Sequence, residues 1–451
     1  MRQTRVREVK NLTEGPISKP LTQLALPILG TSFVQMLYSF VDMAWLGRLG
    51  SEAVAATGAA SVFVWIAQSL SLVNKVGCEV SVAHAIGRGE QKEGATYSGH
   101  GTTLGLLMGS ALMLLYLLLA GPLLGFYQLE PHIHDMSVEY LRIVSLGLPL
   151  LFMLVAFSGT YNATGHSKVP FTISTISLML NIILDPIFIF VLDLGVRGAA
   201  LATVIAQVVG ILLFLWQMLY CDQLLGGVRV IQRLRRAYVL PILRVGGPVA
   251  LMNSLFAFIN MSLGRFASQY GGHIGVLSLT TGGQMEGVCW NTAQGFSTAL
   301  SSFVSQNYGA GKLDRAKQAF GFTLRLALSV GIAGFFLFYF GGERLFSIIV
   351  PEPEAYVAGA HYLRIQALAQ LFSMLEITCQ GFFYGIRRSL PPALISMGGN
   401  LLRIPLAIFL MPYFGSISTL WWIIAGSSML KGLLAGAWYL VEQRRLSCAL
   451  A

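Results

Sequence analysis

The sequence predicts an all-α membrane protein with about 12 transmembrane helices in two pseudo-symmetric six-helix bundles. Three observations carry that prediction. Of 451 residues, 55% are hydrophobic and 11% charged, and the mean hydropathy is +0.67. A soluble domain has about a quarter charged residues, so lipid must be the main solvent of this chain. Apolar segments long enough to cross ~30 Å as helices recur along its length. The chain also repeats itself at an offset near 222 residues.

Taken in order, the polar and basic start MRQTRVREVKNLTEGPISKP leads into a first segment at 20–47. Its apolar run is too long for a signal-peptide core and no small-residue cleavage site stands out, so the first helix is expected to be retained. It carries Pro27, Gln35 and Asp42. Segment 53–82 holds Lys75 and Glu79, i,i+4 neighbours that read as a local ion pair. Segment 96–120 follows, then 138–163 after the polar stretch EPHIHD, whose His132 and His134 read as loop residues rather than metal ligands. Segment 169–192 includes NIILDPIFIFVLDLG, with Asn181, Asp185 and Pro186 inside an apolar run, and 198–220 carries Thr203. These six form an N-terminal bundle, 1–220. A basic stretch at 221–238 reads as a cytoplasmic linker to a C-terminal bundle, 239–451, with segments 239–266, 275–305, 318–340, 357–385, 391–412 and 417–441. Glu286 and Glu376 lie at roughly mid-depth in that half.

Charge placement orients the chain. With twelve spans both termini share a side, and 20 Lys and Arg fall on it against 6 on the other. The positive-inside rule then makes both termini cytoplasmic. The formal charge of +10 is explained by orientation and calls for no nucleic acid. Five scattered cysteines form no CxxC pair and no disulfide framework, and the seven histidines no ligand cluster, so no metal site or cofactor is expected. GRGE and GAGK are glycine-rich but lack the phosphate-loop pattern, and read as turns at helix ends. No HxxxxD pair, GxSxG or metal-ligand cluster indicates an enzyme, and no filter-like repeat indicates a channel.

Four matches establish the repeat. LEPHIHDMSVEYLRI resembles PEPEAYVAGAHYLRI, with both YLRI tetrapeptides 222 apart; HAIGRGEQKEGA resembles QNYGAGKLDRAK at the same offset. Pro27 and Pro248 are 221 apart, and Asn181 and Pro186 match Asn400 and Pro405 at 219. Each unit has an even number of helices, so both enter from the cytoplasm. The expected relation is an axis along the membrane normal, with a cavity between the bundles.

The acids point to a site. A carboxylate in hydrocarbon costs roughly 2.5 kcal/mol or more on insertion scales, and such residues usually face a bundle interior. Asp42, Asp185 and Thr203 all fall near the outer ends of their helices, and Asn181 shares a face with Asp185. Two carboxylates at one depth, with an amide and a hydroxyl beside them, suit binding of H+ or Na+. Pro186 would free the Ile182 carbonyl as a further ligand. The alternative is a polar cluster that only holds helices together. Gln35 is deeper on nearly the same face as Asp42. In the second half Ile404 stands where the repeat would place Asp185, while Glu286 and Glu376 either contact ion or substrate or are neutralised by Lys431, Arg403 and Arg325.

Several of these stretches resemble the multidrug and toxic compound extrusion (MATE) family: LTEGPI, LALPIL with Pro27, SFVDMAWLGRLG around Asp42, NIILDPIFIFVLDLGVRGAALAT, and SQNYGAGKLDRAK. The resemblance covers essentially the whole chain. It is greatest to the DinF-like branch, which has aspartates on the first and fifth helices and would put Pro27 at a bend of the first. No acid stands on the seventh helix, where the NorM-like branch has one. The resemblance implies a monomeric, multi-pass exporter of the plasma (inner) membrane, acting on small organic, often cationic or amphiphilic, compounds in exchange for H+ or Na+. A flippase for a lipid or lipid-linked intermediate is the alternative on the same fold.

Overall fold

The computed structural model describes residues 9–127, 129–221, 230–350 and 352–448. Residues 222–229 of the expected linker, and Arg2, Arg5 and Arg7 of the basic start, lie outside the described residues. Among the described residues all regular structure is helical: α1 (Ser18–Leu49), α2 (Ser51–Gly87), α3 (Gln91–Gly125), α4 (Pro131–Leu146), α5 (Leu148–Ala163), α6 (Lys168–Pro186), α7 (Gly195–Cys221), α8 (Arg236–Gly309), α9 (Leu313–Ile349), α10 (Pro353–Gly385), α11 (Leu390–Leu401), α12 (Arg403–Phe414) and α13 (Ile417–Cys448).

Among the described residues eight of these helices are by themselves long and apolar enough to cross a membrane, α11 running on into α12 makes a ninth span, and α4 with α5 forms a tenth, bent by 46°. The remaining two follow from geometry. As one rod α8, with 74 residues, would be ~110 Å long. It breaks at Gly272 (φ 58°, ψ −152°), a conformation essentially restricted to glycine, and so supplies two crossings. The more polar α10, with 33 residues, supplies the last. The protein is therefore an all-helical, twelve-span membrane protein.

Sequence explains the breaks inside spans. The fourth expected segment is two helices because Pro149, the second residue of α5 and two after Gly147, has no N–H for the preceding turn. Pro405 likewise cannot donate to the carbonyl of Leu401, where α11 ends. Pro186 closes α6, and the chain continues as one π-helical turn, Ile187–Val191, with Leu192 N–H donating to Ile187 O at 2.9 Å. Backbone groups in lipid must be satisfied internally, and the wider turn does this where the α-helical pattern is interrupted.

Chain contacts define two compact units, Met1–Leu251 with Ser305–Lys312, and Met252–Val304 with Leu313–Ala451. In the first, α2, α3 and α5 pack against one another and α6 packs against α1 and α7. Small residues set the spacing: a Cβ on Gly159 would meet the backbone oxygen of Lys75 at 2.3 Å, and one on Gly30 would meet the Phe171 ring at 2.6 Å. The start of α8 joins this unit through Gly77 against Ile242 and Gly246 against Val73. In the second unit α10 is central, packed on α9 and α13, around a core that includes Trp421, Phe346 and Leu363. Leu118, Phe340 and Phe409 are 72–76% exposed, which suits a surface solvated by lipid.

At one end of the first unit, the extended segment before α1 is tied down. Lys10 N–H donates to Thr164 O. The buried Gln306 accepts from Leu12 N–H and donates to Ala163 O at 2.7 Å, while Asn307 donates to Leu12 O.

Candidate functional site

The first unit brings the predicted acids together. Asp185 and Asn181 are fully buried on α6, and the Asn181 amide donates to Asp185 Oδ1 at 3.0 Å. This follows from their i,i+4 spacing on a helix. Asp42 reaches the cluster from α1, which packs against α6, and lies close enough to Asp185 for the two carboxylates to repel. Thr203, on α7, is a hydrogen-bond partner of Tyr38, which itself sits one turn before Asp42. Among the described residues, Asp42 Oδ1, Asn181 Oδ1 and Asp185 Oδ2 are buried side-chain oxygens with no hydrogen-bond partner. All three are acceptors. Buried acceptors left over around two carboxylates form an environment fitted to a cation.

Two tyrosines of this cluster escape a reading that looks only for acids and amides. Tyr38 shares a helix face with Asp42, a signal present in the sequence. Tyr140, buried on α4, lies within electrostatic range of Asp42, Asp185 and Tyr38. It belongs to the first YLRI tetrapeptide. Its repeat mate Tyr362 occupies the corresponding place in the second unit and donates to Glu286 Oε1 at 2.6 Å. The tetrapeptide that marks the duplication thus carries a tyrosine to an acid in each unit.

Gln35 projects from α1 about two turns before Asp42, and its side chain is exposed. Pro27 is buried in α1, which runs unbroken from Ser18 to Leu49, and the Pro27 carbonyl accepts from Thr31 Oγ1 at 3.0 Å. Lys75 and Glu79 interact along α2.

In the second unit both acids have donors. Glu286, on α8, takes Tyr362 and, at 3.4 Å, the Gln370 amide, with Arg403 in electrostatic range. Glu376, buried on α10, pairs with Lys431 of α13 at 3.2 Å and also accepts from Ser396 and Gln380. Arg403 is buried and donates to Ser427 at 2.7 Å and Ser428 at 3.0 Å. Arg325 is exposed and bonds to the Gly321 carbonyl, away from these acids. Among the described residues no group of three or more His, Cys, Asp or Glu side chains forms a metal cluster.

Comparison with known proteins gives a consistent result. The MatE family profile matches twice, at residues 27–187 and 248–409, stretches that are again displaced by about 222 residues. A second profile, Lipid II flippase MurJ, matches 130–266. The chain is 28% identical over 420 residues to a probable multidrug resistance protein NorM of Thermotoga maritima, covering 88% of this chain and 86% of that one. It is 26% identical over 357 residues to an FAD transporter of Shewanella oneidensis, covering 77% and 78%. A crystal structure of MATE in the bent conformation superposes with TM-score 0.92 at 21% identity, covering 99% of both chains.

Proposed function

Since the chain belongs to the MatE family of multi-pass membrane transporters, we propose that it is a secondary active antiporter. It exports small organic, often cationic, compounds across the plasma (inner) membrane in exchange for H+, with Na+ as the other candidate coupling ion. The observation that carries this reading is the group of unpartnered acceptor oxygens of Asp42, Asn181 and Asp185. In the proposed cycle a proton or Na+ arrives from outside, binds at Asp42 and Asp185 with Asn181 and Thr203 beside them, and favours release of a cationic substrate. The protein returns inward-facing with the ion bound, by alternating access of bundles 1–220 and 239–451 joined through 221–238. Ion and substrate must oppose each other's binding by the same factor. A gradient of one pH unit contributes ~1.4 kcal/mol per proton, and voltage ~2.3 kcal/mol per net charge per 100 mV. Gln35, Glu286 and Glu376 are the candidates for substrate contact or secondary coupling.

Within the family we assign the chain to the DinF-like branch, on the positions of Asp42 in α1 and Asp185 in α6. We further propose that it acts as a monomer with both termini cytoplasmic. The flippase reading has narrower support, since its profile spans only 130–266, from the later part of one repeat into the start of the other.

The test is transport in proteoliposomes under separately imposed pH and Na+ gradients. The substrates are an organic cation and, because one relative is an FAD transporter, FAD. We expect cation export driven by one of the two gradients. Asp42→Asn and Asp185→Asn should each abolish the gradient-driven component while leaving folded protein in the membrane. Wild-type rates in both variants would remove the coupling role from these acids.

A further inference from the structure

Glu376 of the second unit is partnered differently from the two candidate-site aspartates of the first. In the first, Asp42 and Asp185 each keep an oxygen without a partner. In the second, every oxygen of Glu376 is engaged: Oε1 by Ser396 and Gln380, Oε2 by the Lys431 ammonium at 3.2 Å. Lys431 is 7% exposed and Glu376 5%, so the pair is removed from bulk solvent. A buried charge of this kind persists only when it is matched and hydrogen-bonded.

The lysine is held in place by design of the neighbouring helix. Its stem crosses α11 at Gly399, where a Cβ would lie 2.3 Å from Lys431 Cγ and 2.6 Å from Cδ. Only a glycine leaves that passage open. The repeat adds an independent observation. At the 222-residue offset of the YLRI tetrapeptides, Glu376 corresponds to Leu154. Offsets of 219–222 place Lys431 on residues 209–212, VGIL, which hold no base. These positions are also neighbours in the first unit, since a Cβ on Gly210 would meet Leu154 Cδ2 at 3.2 Å. The acid and the base are therefore both present in one unit and both absent from the other, in the same packed place.

We propose that the Lys431 ammonium is a tethered counter-cation for Glu376, so that Glu376 takes up no exchangeable cation and adds nothing to the coupling stoichiometry set at Asp42 and Asp185. This rests on the reading that Asp42 and Asp185 bind the coupling ion. Lys431 occupies the position a mobile ion would otherwise fill beside Glu376, and because it is covalently attached it cannot leave during a cycle. The other titratable or charged groups near Glu376 are Cys379 and Tyr384 on its own helix and Arg403, which lies in electrostatic range of Glu376 and Lys431 as well as of Tyr362 and Glu286.

The experiment counts cations on the purified full-length protein in detergent: proton uptake between pH 8 and pH 5 by potentiometry, and equilibrium binding of radioactive Na+. Lys431→Met keeps the unbranched stem past Gly399 and removes the charge. It should bind about one more cation per molecule than wild type, as H+ or Na+, because Glu376 has lost its partner. Lys431→Met combined with Glu376→Gln should return to the wild-type count. An unchanged count in Lys431→Met overturns the proposal. So does a double variant that binds one cation fewer than wild type, since the pair itself would then exchange. If Lys431→Met does not fold, the double variant decides by the same comparison. Asp185→Asn, measured in parallel, reports on the first unit separately. Its retaining the wild-type count would refute the coupling reading without altering the outcome for Lys431.

Discussion

Asn181 shows how much one side chain can decide in a buried site. Among the described residues its amide is the single hydrogen-bond donor to Asp185, and a bond to a charged group contributes about 1.5–3 kcal/mol. The remaining oxygens of Asp42 and Asp185 can then accept a cation. If a proton and a cationic substrate oppose each other there, substrate affinity measured in detergent without a gradient should fall as pH is lowered. Asp42→Asn should flatten that dependence, and an unchanged slope in the variant would remove the proton from the mechanism. Glycines act at the same scale. The GRGE and GAGK stretches hold two kinds. Gly89 and Gly311 have positive φ (81° and 73°) and make the turns expected of them. Gly87 and Gly309 are instead packing residues: a Cβ on Gly87 would meet Gln306 O at 2.1 Å, and one on Gly309 would meet His84 O at 2.5 Å. Alanine at either position should destabilise by about 1–3 kcal/mol through overpacking, read as a lower midpoint of thermal unfolding. Alanine at Gly121, inside α3 where nothing lies within 4 Å, should not lower the midpoint, since alanine is the better helix former.

Among the elements, the proline-bearing helices carry the functional geometry. Pro186 ends α6 one residue after Asp185 and hands the chain to a π-helical turn. That turn sets Ile189 against Leu46 and Ala199, and Phe190 edge-on to Trp45 at 6.2 Å. The acids of α1 and α6 are thus fixed by apolar contacts just beyond them. Pro27 differs, because α1 continues through it unbroken. The missing N–H leaves the helix free to bend there at low cost. We expect Pro27→Ala to slow substrate exchange several-fold while cation binding at Asp42 and Asp185 stays within about twofold, measured by transport rate and equilibrium binding in the same preparation. Equal losses in both would indicate that Pro27 shapes the site rather than the motion.

For the whole molecule, the proposed orientation rests on the placement of basic residues rather than on any single contact. Single cysteines introduced near Glu130 and Glu352 should react with an impermeant thiol reagent added outside intact cells, and ones near Lys92 and Arg315 should not. The native Cys78, Cys289 and Cys379 are buried, which keeps the background from these positions low. The reverse labelling pattern would invert the topology and place the acids toward the cytoplasm.

Much of this was determined locally and so was legible in the sequence. Helix class and number follow from apolar length, because a chain in lipid must satisfy its backbone within each segment. Duplication is written in the YLRI and glycine motifs, and the i,i+4 spacing already pairs Asn181 with Asp185. What the tertiary structure alone decided concerns groups far apart in the chain. It brought Tyr140 to the acids of the first unit and Thr203 to Tyr38, separated Gly87 and Gly309 from the turn glycines beside them, and closed Lys431 onto Glu376 across 55 residues of sequence. Periodicity tells which face of a helix is polar, but not which other face it meets. That is set by how closely helices approach, here by glycines such as Gly399, whose missing Cβ lets a lysine stem pass and reach its acid.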